Sequence, residues 1–522
     1  MERNMNKIEK FNLPEHTNSL YKDEAISSIG LTHEIAGKIN ELITAFNSLS
    51  EEDLKWKQTQ EGTIRKGVLF MKDNLINSLS ELLKLYSDDV TKRTLLEVLG
   101  DELDALKIFV TPQMFGAVGD GIANDTASIE KAIASLKEGD VLFFPKGTYI
   151  MRGRPVEINK ENVTFMGEGL IRCDYGFRPK KSNFKAIGLR MECISYSTEH
   201  RAFMIDSKST YIRNFVFKDC SFKNFFYSVY ASGGSYSYDG TEESVGYPVR
   251  DVVIENCYSH TYTSQNAGHF QCIQVENIAY LNNRTYGGQN ASSYNAIKGN
   301  GYIRVVGNYD HDNSYASCEI ENGSGRAVVA NNTFNSKIWI DDSFDAVVNG
   351  NTTEEGILVT VGSNNGNADN IIISNNICRN IRCEQFGEYK GGIINFVNIT
   401  GNTVKGTSTH GIWLHGNAVT RANVSNNFIT GVNTNDISVQ RTEQIECIIR
   451  GNIGSGKKLL IAGSGGRVYA FDNFNIETSG TRDSFPASHL EREFNGVKIT
   501  DENGEAWRLG VSTSGTVGAI KY

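Results

Sequence analysis

Nine asparagines set the frame of this chain. Asn283, Asn308, Asn332, Asn351, Asn376, Asn402, Asn427, Asn452 and Asn473 follow one another at intervals of 25, 24, 19, 25, 26, 25, 25 and 21 residues. Five and three residues ahead of each stand two apolar or nearly apolar side chains, such as Ile303 and Val305, Ile371 and Ile373, or Val397 and Ile399. Cys220 and Cys257 take the asparagine slot in two earlier units, behind Phe215 and Phe217 and behind Val252 and Ile254. Alternating apolar residues make a strand with one buried face. A polar corner residue recurring at this period marks one turn of a parallel β-helix, whereas a propeller blade needs four strands in about 40 residues. The register predicts that Val329 and Ile373 face the core and that Val328 and Ile372 face outward. Each corner asparagine is expected to bond along the stack through its amide and to take up the left-handed backbone of the bend.

Composition fits a chain of many tight corners, with 51 glycines and only 7 prolines. Hydrophobic residues at 39% supply a core and exclude disorder over most of the length. A net charge of -9 argues against a nucleic-acid partner. Nine cysteines, an odd number without framework spacing, point to synthesis in a reducing compartment. Met1 to Lys10 is polar and no run of about 18 apolar residues occurs, so neither a secretory leader nor membrane insertion is expected.

Residues 1–108 have a different texture. Ile35, Ile39, Leu42, Phe46 and Leu49 step by four and three, as do Ile64, Val68, Met71 and Leu75. Such narrow stripes want another helix, either in a bundle between copies of the chain or in a hairpin within one chain. The first twenty residues show no pattern and read as an attachment segment. Val110-Thr111-Pro112 ends the helical region, and Asp125 or Thr126 is placed to cap a short helix with Ile129, Ala132, Ile133 and Leu136 on its apolar face. At the other end, Val497 to Thr500, Ala506 to Val511 and Val517 to Tyr522 read as three short strands. Three strands alone are a poor core, so they are expected to associate with copies of themselves or to cap the β-helix.

One strand of each turn aligns on Ile297, Ile320, Ile340, Leu414 and Val439. With these inward, Lys298, Glu321, Asp341, His415 and Gln440 point out on one side of them, and Ala296, Glu319, Trp339, Trp413 and Ser438 on the other. Aromatic rings stack on sugar faces while paired carboxylates carry acid–base chemistry. Glu321, Asp341, Glu319 and Asp342 are therefore the candidate catalytic residues. Trp339, Trp413, His415, Lys298, His311, Asp310 and Asp312 are the candidate substrate-binding residues, with Asp345 extending the acid cluster. The solenoid rise of about 4.8 Å predicts carboxyls of Glu321 and Asp341 about 5 to 6 Å apart. No cofactor is demanded; a divalent metal held by the same acids is the alternative for a phosphodiester substrate. Gly451 to Lys457 mimics a phosphate loop, but Lys458 stands where a magnesium-binding hydroxyl belongs.

The segment Phe115-Gly-Ala-Val-Gly-Asp-Gly-Ile-Ala-Asn-Asp-Thr126, followed by Phe143-Phe-Pro-Lys-Gly-Thr-Tyr149, resembles the entry motif of the pectate-lyase-like superfamily. The resemblance covers about residues 109 to 475 and implies a right-handed parallel β-helix. With helices ahead of it and no leader, the arrangement looks most like a bacteriophage tailspike or tail appendage, closest to those of small podoviruses of Gram-positive hosts. That resemblance implies a homotrimer assembled in the host cytoplasm and carried on the virion tail. Residues 1–108 would attach to tail or baseplate proteins and trimerise, 109–479 would form the β-helix, and 480–522 a small β cap. The implied activity is binding and depolymerising a host cell-surface glycan such as wall teichoic acid, by hydrolysis. A binding-only adhesin and a polysaccharide lyase are the alternatives. Trp339-Ile340-Asp341-Asp342 is similar to the Trp-Ile-Asp-His motif of pectate lyases, but Asp342 replaces the histidine. Asp341-Asp342 matches the paired acids of polygalacturonases, while their Gly-His-Gly and Arg-Ile-Lys elements are absent.

Overall fold

The computed structural model describes residues 109–522 apart from 208–209, 234–247, 262–267, 289, 296–300, 322–324, 363–365, 386–390, 416, 442–444, 481–497, 501–505, 512–516 and 522. The predicted helical seams, and with them the attachment segment, lie outside the described residues. From Phe109 the chain winds as the expected right-handed parallel β-helix. Its turns contribute in rotation to three long parallel sheets of 15, 13 and 14 strands, here sheets I, II and III. The apolar pairs ahead of each asparagine lie on sheet I, the residues after it on sheet II, and the strands carrying the candidate site on sheet III.

The inward register of sheet I holds as read. Val305, Val329, Val348, Ile373 and Ile399 pair turn upon turn and are fully buried. Val328 is 37% exposed and Ile372 half-buried. The early turns are filled by interlocking rings, Phe144, Phe165, Phe177, Phe184, Phe203 and Phe217, at centroid separations of 4.9 to 6.2 Å. Later turns use Val and Ile. The helix Thr126–Ser135 buries Ile129, Ala132 and Ile133, as its apolar spacing predicts. Asp125 sits at its N-cap but makes no side-chain bond to the helix. Its carboxylate instead accepts the amides of Val118 and Gly119 at 2.7 and 3.3 Å and fastens the glycine-rich entry loop.

The asparagines form one continuous ladder, buried from Asn283 to Asn452. The Nδ2 of Asn283 donates to Oδ1 of Asn308 at 3.1 Å, and the relay runs on through Asn332, Asn351, Asn376, Asn402, Asn427 and Asn452 to Asn473. Each backbone amide donates to the same oxygen, and each Nδ2 also reaches a carbonyl, as Asn351 does to Val329. The expected left-handed backbone belongs not to these residues but to the ones before them: Asn282, Gly307, Asn331, Gly350, Asn375, Gly401, Asn426 and Gly451, with φ between 55° and 71°. Those corner residues alternate between Asn and Gly for a steric reason. A Cβ on Gly307, Gly350, Gly401 or Gly451 would lie 2.3 to 2.7 Å from the Oδ1 of Asn282, Asn331, Asn375 or Asn426 on the preceding turn.

At the C-terminal end Lys498–Thr500, Ala506–Val511 and Val517–Lys521 form a separate three-stranded antiparallel sheet, close to the bounds read from the sequence.

Candidate functional site

Sheet III carries the candidate acids on the strands Ala316–Glu321 and Lys337–Asp341. Ile320 pairs with Ile340 and both are fully buried, so their neighbours alternate outward as expected. One outward column runs Glu319, Trp339, Leu358, Arg382, Trp413 and Ser438, and Glu319 has Ser293 as its register partner on the turn before. In the other, Asn295 pairs with Glu321, and Asp341 with Thr360 and then Glu384. The amide of His415 donates to Cys383 at 2.9 Å and brings His415 next in that column.

One turn was misaligned. Tyr294, not Ile297, pairs with Ile320, and the slot assigned to Lys298 belongs to Asn295. The strand Asn290–Asn295 ends before Ile297, which lies outside the described residues. Lys298 and Ala296 lie outside the described residues.

Outward direction does not mean open to water. Glu319, Trp339 and Asp341 are 6%, 5% and 2% exposed. Trp339 Nε1 donates to Thr360 Oγ1 at 2.6 Å, and the Thr360 hydroxyl donates in turn to the Asp341 carboxylate. Tyr315 meets Trp339 edge-on at 5.7 Å, and the Lys337 ammonium lies 4.2 and 4.8 Å from those two rings. Burial lowers the pKa of Lys337. Asp342, 2% exposed with a φ of 44°, accepts the amide of Gly362 at 2.6 Å. A Cβ on Gly366 would lie 2.8 Å from Asp342, so Gly362 and Gly366 both lie close against this side chain. Asp342 is therefore a backbone anchor rather than an open carboxylate. Asp345 also has a left-handed backbone and accepts from Asn370 at 2.7 Å in a corner stack.

Further along the face, the Arg382 guanidinium lies 5.1 Å from the Trp413 ring and 2.7 Å from Glu384. His410 and His415 flank Trp413 at 5.4 and 5.8 Å. Burial, with Arg382 nearby, lowers the pKa of His410. In the opposite direction Arg201 stands over Tyr230 at 4.8 Å and Tyr227 at 5.8 Å, and burial pushes the Tyr227 hydroxyl up to about 12. Sequence reasoning missed Thr360, Arg382 and Glu384 because the turns inward at Val359 and Cys383 were left out of the alignment. Adding the inward positions Val359 and Cys383 and taking the single residue on either side of each finds them.

Asp310, His311 and Asp312 are not part of this face. They belong to sheet II, where Asp310 takes the inward slot of the strand Tyr309–His311 and is 2% exposed. Its expected place in a substrate groove is thus corrected: the same slot holds Phe334, Cys378, Val404 and Ile429 in later turns. A carboxyl is accommodated there because Thr285 and Ser317 donate to its two oxygens. On the outer side, His311 stacks on Tyr286 at 5.6 Å and lies 3.0 Å from Asp312. The Tyr286 hydroxyl lowers the pKa of Asp312.

Burial pushes the Asp310 carboxyl up to about 7. The folded chain keeps this proton up to that pH while the unfolded chain releases it near 3.8, so stability from this group falls as pH rises between the two. Fully buried His269, lowered to about 4 by burial, has the opposite slope, its contribution growing from about pH 4 to its ordinary value near 6.5. Asp310→Asn should therefore melt higher than the parent at pH 8, by up to roughly 4 kcal/mol, with the difference closing toward pH 4. A pH-independent difference in thermal melts would contradict the buried, titrating carboxyl.

Comparison with known proteins places this geometry. A family model described as rhamnogalacturonase A/epimerase, pectate lyase-like, matches residues 109–175. The preneck appendage protein of Bacillus phage PZA is 23% identical over 344 residues, 59% of this chain and 34% of that protein. The chain resembles phage preneck appendages. The pre-neck appendage protein of Bacillus phage phi29 matches with the same identity and coverage. Among solved structures, pre-mature bacteriophage phi29 gene product 12 aligns with a TM-score of 0.47 and 15% identity, over 74% of this chain and 59% of that one. The chain spans about a third of the length of the curated relatives it matches, 34% in each case. The resemblance to phage appendages with a pectate-lyase-like β-helix, read from the entry motif together with the helical texture ahead of it, is thereby borne out.

Proposed function

We propose that this protein is a virion tail appendage that binds a host cell-surface glycan along the outer face of sheet III and hydrolyses it. Residues 1–108 would join it to tail or baseplate proteins, and the working form would be a homotrimer. The observation that carries the reading is the Trp339–Thr360–Asp341 hydrogen-bonded chain, with Glu319 on the adjacent turn and the Arg382–Trp413 stack farther along the same column. Neighbouring turns rise about 4.8 Å, so Glu321 and Asp341, one turn apart in the same column, suit an acid–base pair. In that role one carboxyl stays protonated as the acid and the other ionised as base or nucleophile. Wall teichoic acid is the substrate we favour. For such a phosphodiester the same acids would need a metal to activate water, although among the described residues no three His, Cys, Asp or Glu side chains converge to hold one.

One observation favours a second reading. With Glu319 and Asp341 6% and 2% exposed, the face can grip a glycan without reaching its glycosidic bond, as a binding-only adhesin would. Incubating the purified protein with host cell-wall polymer separates the two. Hydrolysis releases low-mass products with time, while an adhesin pulls down with the polymer and releases none.

A further inference from the structure

An open cavity on sheet II lies outside the proposed site. It has a volume of about 410 Å³ and spans three successive turns, room for one ligand of the size of a substituted sugar. Three charged residues stand in it: Glu354, Arg379 and Lys405. Each directly follows a buried inward residue, Thr353, Cys378 and Val404 in turn, so strand alternation turns it outward. Thr352 pairs with Ile377 and Cys378 with Val404, so the three occupy one outward position on consecutive turns, about 4.8 Å apart at the backbone.

The two cations are uncompensated. Among the described residues neither Arg379 nor Lys405 is held in an ion pair, with Glu354 or with any other acid. Like charges facing each other across neighbouring strands destabilise a sheet. An anion seated between them reverses the sign. The fold also keeps the arginine against the wall, since Gly406 has a φ of 149° and a Cβ there would lie 2.7 Å from Cγ of Arg379. The rest of the lining says what carries the anion. Thr352 and Thr407 bring hydroxyls and Glu354 a carboxylate acceptor, the partners of a polyhydroxylated molecule. Ile377, 37% exposed, offers an apolar flank to its C–H surface. No aromatic ring lines the cavity for a nucleobase to stack on, and a bare anion would gain nothing from Glu354 or Ile377.

We propose that this cavity is a holding site for a saccharide or polyol unit that bears a phosphate or carboxylate, the anionic group lying between Arg379 and Lys405 and the hydroxyls against Glu354, Thr352 and Thr407. Sheet II is a different face of the solenoid from sheet III, so a chain gripped here is not the one lying across Asp341. Two contacts on separate faces hold a particle to a surface more tightly than either alone. The site goes beyond the sheet III reading and stands even if that face cleaves nothing.

Full-length protein titrated calorimetrically at low salt with glucose-1-phosphate, galacturonate, inorganic phosphate and glucose tests it. One or both of the first two should bind more tightly than inorganic phosphate and glucose, and the preferred one names the anion. Arg379→Gln and Lys405→Gln should each weaken that binding at least about tenfold and keep the parent's melting curve, both side chains being exposed. Arg304→Gln, which removes an exposed cation from sheet I, should bind as the parent does. Equal affinity for inorganic phosphate and the two sugar acids would overturn the saccharide. Binding unchanged in both variants, or no binding by any of the four compounds, would overturn the site. Either failure leaves the glycan reading of sheet III to its own test, the release of product from host polymer.

Discussion

Asp341→Asn and Glu321→Gln should each lower the release of low-mass product from the host polymer by at least about a hundredfold, the usual scale for losing an acid–base group. Neither change should alter folding. An asparagine at 341 keeps an oxygen able to accept from Thr360, so the bonds joining Trp339, Thr360 and residue 341 survive while the ionisable group is lost. Melting temperature and binding to whole cells should therefore stay near the parent values. If both variants retain full activity, the reacting groups lie elsewhere, and Glu384 with His415 beside Trp413 become the next pair to test. If both lose binding along with cleavage, the carboxyls hold the polymer rather than attack it.

Val329→Asp should yield no folded β-helix, whereas Val328→Thr should fold and melt close to the parent. Val329 is fully buried, its burial contributing about 1.5 to 3 kcal/mol. Aspartate there would also place an unpaired charge in a solenoid interior that holds no cation opposite it on the paired turns, Val305 and Val348. Val328 is 37% exposed and its register partners are Arg304 and Val347, so a hydroxyl can reach water. Ile373→Asp and Ile372→Ser should repeat the contrast two turns on. Far-UV circular dichroism and gel filtration read it directly. Equal damage at both members of a pair would mean that the register is slipped by one residue, which exchanges the two faces.

The backbone course was legible because one interaction repeats. An amide that must bond along the stack restricts the corner after each sheet I strand to Asn, and that restriction shows in the spacing. The left-handed residue was placed one position late because Asn and Gly share that role at the neighbouring position, so no single residue type recurs there. The site was less legible, for reasons local to particular residues. Ile297 fits the aliphatic pattern of its turn, but the register partner of Ile320 is Tyr294, outside that pattern. Asp310 looked solvated, yet two hydroxyls from different turns make an inward carboxyl tolerable, and neither partner is adjacent to it in sequence. The surroundings of Asp341 and Asp342 are likewise set from a distance, through Thr360 and the amide of Gly362. Strand alternation gives a side chain's direction but not what lies above it.

The alternation of Asn and Gly at the corners gives the solenoid a parity. Between Asn282 and Gly451, each glycine leaves room for the carboxamide of the turn before it, so adjacent turns are not interchangeable although their strands are alike. Deleting or duplicating one turn would set Asn against Asn or Gly against Gly at the new seam, while removing or adding two restores the sequence of corners. Just before this stretch Asn256 and Asn282 occupy the corner in adjacent turns, so Asn can follow Asn; the strict order of pairs is a property of the turns from Asn282 to Gly451 alone.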